Sequence, residues 1–413
     1  MAEFVPIYQE RDFYVPAFEI RVNGQPLPNY ASQDVIEVQY KDSVDEIDSF
    51  DITVNNWDGE KLDFKYTGGT REDKETARFA ERSQLFDPGK VIELWMGYFK
   101  PTKEDPNPLR LMLIGKITKL TPNFPASGQP TLKVSGQNVL RQFKTKQETH
   151  EYTQKKYSAI AKEIGQKRPL KDNSGKSIPL LVNREARERE DVEPYVLQKN
   201  QFDIVFLLQL ARRRSYELIF INDEKEPQYK NIKAYLDEPQ KPPFLYFGPS
   251  LGLSKISYLL EWGKSLIQFQ PTLTTTNQVS EVTVRGWDSL QKKPIKVTVK
   301  RKDLKTRPLS DRQKLEKLEE GFKEQREVVV DRPVFNEKDA RKLAEAMMTE
   351  NTKNMVTGSG STLGIPDLRA GCFVQIQGLG LTFSGRYFIK STTHTINASG
   401  YLTQFEARLE ETN

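Results

Sequence analysis

The sequence predicts a mainly β chain interrupted by a small α/β insertion. Three observations carry this expectation. Six segments before residue 140 alternate apolar and polar residues with period two. Between residues 146 and 250 the spacing lengthens to that of amphipathic helices. Period two then returns and, apart from one helix, holds to the end of the chain.

Phe18-Glu19-Ile20-Arg21-Val22 places apolar residues two apart, and Asn23-Gly24 supplies the type I′ turn of a hairpin. The segments 35–40, 49–54, 91–98, 111–117 and 131–136 repeat the alternation. Six short strands with no helix between them imply an antiparallel sandwich or barrel. The charged stretch 59–90 among them is an exposed loop with a helical turn or a functional excursion, since long loops are uncommon without a role.

In the insertion, Tyr157, Ile160, Ala161 and Ile164 fall on one helical face. A polar span follows over 165–191. Ile204, Leu207, Leu208 and Ala211 mark a second helix over 203–214, and 216–221 reads as a strand. Strands return at 256–262, 265–269, 279–287 and 295–299. The mixed charge of 300–332 reads as a solvated connector in preference to a docking helix. Asn336 is placed to cap a helix, with Asp339 in the capping-box position and Ala340, Leu343, Ala344, Met347 and Met348 as its core stripe. Strands at 372–376, 386–393 and 403–409 close the chain. The expected divisions are 1–145, the insertion 146–250, and 251–413 with an excursion over 301–332.

No residue pattern marks a catalytic, cofactor or metal site, and none is assigned. Two histidines, His150 and His394, exclude a multi-histidine metal site and leave little for a triad. His394 lies in a strand-like stretch and reads as a satisfied or exposed strand histidine. The single cysteine, Cys372, reads as a buried small hydrophobe. The stretch 357–364 (TGSGSTLG) lacks the Gly-Lys-Ser/Thr of a phosphate loop and reads as a turn or bulge. The 57 carboxylates show no spacing that singles out a glycosidase-like pair. A net charge of +5 spread along 413 residues argues against nucleic-acid binding, which needs a clustered basic face. The N-terminus lacks the pattern of a secretory signal, no apolar run reaches membrane-spanning length, and the sequon at Asn397 is not expected to be glycosylated.

Several motifs nevertheless stand in a familiar order. Trp262-Gly263-Lys264-Ser265-Leu266 leads to Phe269, Pro271-Thr272-Leu273-Thr274-Thr275 and the stretch from Gln278 to Asp288. The helix from Asn336 follows, then Gly358-Ser359-Gly360, the stretch from Gly364 to Gly371, and Gly378-Leu379-Gly380. Ser384-Gly385-Arg386-Tyr387-Phe388-Ile389, Thr393-His394-Thr395 and Tyr401 end the series. Together they resemble the phage late control D family of tail hub proteins, related to the hub half of type VI secretion spike proteins.

The resemblance implies a non-enzymatic baseplate hub, with two domains like the tail-tube subunit, antiparallel β-barrels, joined by the inserted α/β domain. It implies a homotrimer that adapts a six-fold tail tube to a three-fold spike, with other baseplate components as partners. It also implies assembly in a bacterial cytoplasm and a membrane only as the target of the machine. Phage, tailocin and other contractile injection systems are not distinguished. Spike-fused relatives continue into further domains, whereas this sequence stops at Asn413, so the spike is expected to be a separate chain. The charged segments 59–90, 166–191 and 301–332 are expected to meet partners. A tail-associated cell-wall-binding or peptidoglycan-hydrolysing protein is the competing expectation.

Overall fold

The structure, a computed structural model, describes residues 3–6, 15–67, 82–99, 109–172, 174–214, 216–249, 256–274, 278–288, 291–301, 326–329, 334, 336–353 and 355–412. Parts of three segments singled out above lie outside these: 68–81, residue 173, and 302–325 with 330–332.

The first unit holds six strands: β1 (Pro16–Val22), β2 (Val35–Ser43), β3 (Ser49–Asn55), β4 (Val91–Tyr98), β5 (Arg110–Asn123) and β6 (Thr131–Asn138). The hairpin turn forms as the sequence predicts: Val22 pairs with Gln25 across Asn23 and Gly24, whose φ angles are 51° and 80°. In space the order is β2-β3-β6-β5-β4-β1, every neighbour antiparallel. Alternation turns Phe50, Ile52 and Val54 of β3 inward, where they meet Ile20, Leu94 and Val134 in one core.

The second unit repeats this arrangement with β7 (Ile256–Glu261), β8 (Leu266–Leu273), β9 (Val356–Leu363), β10 (Phe373–Gln377), β11 (Gly385–Asn397) and β12 (Gly400–Thr412). Its order, β8-β9-β12-β11-β10-β7, is the same, although β7 runs parallel to β10 where β1 is antiparallel to β4. Irregularities recur at matched places. β2 bulges at Ile36 and β8 at Ile267; β5 bulges at Thr118 and β11 at Lys390. Gly89 and Gly371, both at positive φ, donate to Ile117 O and Ile389 O at 2.8 and 2.9 Å. Bulges and left-handed glycines set strand bending at these places; the shifts at Leu94/Trp95 and Arg386/Tyr387 are not shared.

β11 joins the units. Its first part, Gly385–Phe388, is covered by β10, and the remainder, Ser391–Asn397, pairs with Glu37–Ser43 of β2. With two short strands added, Glu3–Pro6 parallel to β7 and Gln25–Pro26 antiparallel to β1, one 14-stranded sheet results. The glycine-rich stretch 357–364 is therefore not a turn or bulge: residues 356–363 form β9, inside that sheet. Its glycines serve packing, because a Cβ on Gly358 or Gly360 would lie 2.5 or 2.7 Å from ring carbons of Phe269.

Two modules are inserted. Residues 147–249 carry an antiparallel strand pair (Gln147–Lys155 with Glu193–Phe202) and a three-stranded sheet, Leu180–Val182, Phe244–Pro249 and Tyr216–Ile221. Helices Tyr157–Lys167 and Asp203–Arg213 bury Ile160, Ile164, Leu207 and Leu210 against Phe247. The polar span 165–191 contains short strands and a helix, Arg184–Arg189, capped by Asn183, whose Oδ1 accepts Ala186 N–H at 2.8 Å. The second module lies between β8 and β9. Glu281–Asp288, Lys293–Lys300 and Arg326–Val329 pair among themselves rather than with the second unit's strands. Helix Glu337–Lys353 covers them with Ala340, Ala344 and Met348. Its cap forms as the sequence predicts: Asn336 Oδ1 accepts Asp339 N–H at 2.9 Å, and Asn336 Nδ2 donates to Asp339 Oδ2 at 2.8 Å.

Gly360→Ala should lower stability by about 1–3 kcal/mol, because the added methyl meets Phe269, Phe405 and a backbone oxygen at once. Truncating the ring in Phe269→Ala/Gly360→Ala should make the glycine change less costly than it is alone. Urea midpoints of the four proteins in the cycle measure both effects, and strict additivity would refute the packing role.

Candidate functional site

The two units and the first insertion meet around one buried arginine. Arg369 sits in the turn before β10, held by Leu368 N–H to Ile365 O at 2.9 Å and Cys372 N–H to Arg369 O at 3.2 Å. Its Nε donates to Asp42 Oδ2 at 2.9 Å, and one terminal nitrogen donates to Tyr40 Oη at 2.5 Å and Met112 O at 3.0 Å. Asp42 also accepts Ala370 N–H at 3.1 Å and the Thr392 hydroxyl. Only 5% and 6% of the two charged side chains is exposed, so each requires the other.

The insertion seats on the same spot. Glu226 accepts both the backbone and side-chain N–H groups of Asn222, at 3.0 and 3.1 Å, and Asn222 Nδ2 reaches Met112 O at 3.4 Å. Gln228 Nε2 donates to Ala370 O at 3.3 Å. Burial pushes Glu226 up to about 7, against the opposing pull of Arg369 and Asn222. Burial and the neighbouring Asp42 charge also raise Asp48.

His394 is buried and fully partnered. Nε2 lies 3.0 Å from Leu368 O, which can only accept, so this nitrogen carries the proton. Nδ1 then accepts from Tyr401 Oη at 2.9 Å. Burial lowers the imidazole to about 4, leaving it neutral. Cys372 is buried, and that burial pushes its thiol up to about 12. Neither group is poised as a base or nucleophile. Among the described residues no group of three or more His, Cys, Asp or Glu side chains could hold a metal ion, and no helix is long and apolar enough to cross a membrane. What this arrangement does chemically is lock three parts of the chain together. Sequence reading missed Asp42, Arg369 and Glu226; buried charges carry no local signal.

Two further features lie on the surface. Residues Gln268, Ser361, Gln404, Thr393, Lys41 and Ser49 stand side by side in register across five strand pairings, a polar row that crosses from one unit to the other. Beside it are two strand edges with no partner strand among the described residues. These are the side of β8 away from β9 and the part of β5 from Thr118 onward, away from β6. Exposed apolar residues sit on each: Ile267 on β8 and Phe124 just past β5. Phe124 stacks edge-on to Phe64 at 5.0 Å, and Phe64 to Trp57 at 5.6 Å.

A family model described as "Alg8 N-terminal domain" matches residues 249–398, less than half of the chain. No curated protein matches. The fold, however, is shared with solved tail proteins. The 43 kDa tail protein of prophage MuSo2 from Shewanella oneidensis superposes with a TM-score of 0.61 at 12% identity, covering 95% of this chain and 98% of its own. A tail protein from Neisseria meningitidis gives 0.59 at 12% identity, with 96% and 97% covered. A component of the E. coli type VI secretion system gives 0.53 at 11% identity, with 95% and 77% covered. This chain has the fold of phage tail proteins.

Arg369→Met should cost about 3–5 kcal/mol by stranding Asp42 in the interior, with Arg369→Met/Asp42→Leu less destabilised than the single change. Urea unfolding gives both values. Glu226 also predicts a pH dependence. Its folded value exceeds the ordinary 4.5, so its contribution is complete below pH 4.5 and is lost as pH rises through about 7. Glu226→Gln should therefore gain stability relative to the parent protein between pH 5 and 7, read from paired urea midpoints. His394 has the opposite sign: it weakens the fold as pH falls from 6.5 through about 4.

Proposed function

We propose that this protein is the non-enzymatic baseplate hub of a contractile phage-tail-like injection machine. Three copies form a ring that adapts a six-fold tail tube to a three-fold spike. The observation that carries the reading is the repeat itself. One chain holds the same six-stranded arrangement twice, with matched bulges, fused into one sheet. Three such chains present six near-equivalent units at one face while keeping three-fold symmetry at the other. In this reading each unit is a barrel-like counterpart of the tail-tube subunit, and the chain is a late control D protein.

The fold shared with tail and type VI secretion proteins supports this. So does the junction around Arg369, which fixes the angle between units as a load-transmitting ring requires. The polar row supports it too: five uncharged polar side chains and Lys41, with no apolar residue among them, suit the wall of a channel. Assembly takes place in a bacterial cytoplasm, and other baseplate components bind the inserted modules and charged segments.

The mass in solution, or with the tube protein added, should correspond to three chains, and averaged electron images down the ring axis should show six lobes. A protein that stays monomeric with its tube protein present would overturn the reading. Deleting residues 302–325 should leave the trimer intact and block particle assembly; unimpaired assembly would remove that segment from the list of contacts.

A further inference from the structure

We infer that neighbouring copies join strand to strand, with β8 of one copy laid antiparallel on the open edge of β5 in the next, in the register that β2 and β11 already use within the chain. This rests on the ring proposed above and specifies its joint. β2 and β8 are equivalent strands of the two units, and so are β11 and β5. The pairing of β2 with β11 is therefore half of a repeating contact. The other half would join the unfilled edges of β8 and β5.

The matched irregularities fix the correspondence. Aligning the bulge at Ile36 with that at Ile267 places Val38, Tyr40 and Asp42 on Phe269, Pro271 and Leu273. Aligning Lys390 with Thr118 places Thr392, His394 and Ile396 on Leu120, Pro122 and Phe124. Within the chain Asp42 faces Thr392, Tyr40 faces His394, and Val38 faces Ile396. Between copies Leu273 would face Leu120, Pro271 would face Pro122, and Phe269 would face Phe124.

Backbone direction agrees. Val44 N–H donates to Lys390 O at 3.0 Å, so Asp42, Tyr40 and Val38 aim their backbone groups at β11. On β8, Thr274 N–H donates to Met355 O at 2.9 Å, which turns Leu273, Pro271 and Phe269 outward. On β5, Lys119, Thr121 and Asn123 bond to β6, which follows from Asn138 N–H donating to Asp48 O, and Leu120 faces outward. The prolines stand at the outward positions, where a missing N–H disturbs neither unit. Opposed, they make one silent rung between two complete ones, and unopposed they keep each edge from recruiting arbitrary strands.

Side chains agree as well. Ile396 of the second unit is buried in the core of the first. Its counterpart Phe124 is 58% exposed, an aromatic ring at the position where an inserted side chain belongs. Its target is the second unit's core of the adjacent copy, beside Phe269. The joint within the chain is locked by Asp42 and Thr392; the joint between copies has leucines at those places.

Thr272 and Thr121 are exposed and would oppose one another as a non-hydrogen-bonded pair, with Cα atoms about 4.5 Å apart, inside disulfide range. In the full chain, Thr272→Cys/Thr121→Cys should yield covalent multimers on mild oxidation, seen on a non-reducing gel. Either single variant should not, nor should Thr272→Cys/Lys119→Cys, which tests a two-residue slip. Phe124→Asp should raise the dissociation constant at least tenfold, whereas Phe64→Ala, which removes the ring that Phe124 touches within its own unit, should not. Trimers that form without the Thr272–Thr121 link would overturn this joint and leave the hub reading standing. A protein that never associates would bring down both.

Discussion

The contact between Arg369 and Asp42 sets the rest of the molecule. A guanidinium and a carboxylate buried together are tolerable only when each meets the other and their remaining hydrogen-bonding positions are filled. Here the partners come from different units, 327 positions apart. Loosening the units would strand both charges, so the docking is close to all-or-none. The β2–β11 ladder runs through the same place, and the insertion caps it through Glu226 and Gln228. Backbone pairing supplies direction and register, and the buried charges supply the penalty for separation.

With that joint in place, the repeat becomes informative. The two units share strand order, bulges and left-handed glycines, yet the side chains at matched positions differ in kind. Asp42 corresponds to Leu273 and Thr392 to Leu120. Backbone geometry has been kept while the chemistry of the contact has been changed from a polar lock to an apolar seam. The inserted modules do not disturb this frame. Residues 147–249 enter between the units, and the 281–353 module enters between β8 and β9, each with a core of its own.

His394, which reads from the sequence as a satisfied or exposed strand histidine, uses both nitrogens in the interior and stays neutral. Two of the carboxylates with raised values, Glu226 and Asp48, lie beside Arg369 and Asp42. Perturbed titration here reports burial at a joint, a reminder that such shifts mark ion-pair networks as well as active sites.

Much of this was legible in the residues. Period-two alternation located all twelve strands of the two units except β9, because an alternating face is buried wherever its partner lies. Asn336 and Asp339 announced their helix by local hydrogen bonding alone, and two histidines and one cysteine already limited the chemistry. Only tertiary structure decided the pairing. Strands 281–288 and 293–300 alternate like any others, and nothing in their period says that they form a separate sheet. Gly358 and Gly360 read as a turn because the ring that requires them, Phe269, lies far away in sequence. Asp42 and Arg369 carry no local sign of their pairing for the same reason. Local sequence carries which face of a strand is apolar; the identity of the group across from it is a property of the folded chain.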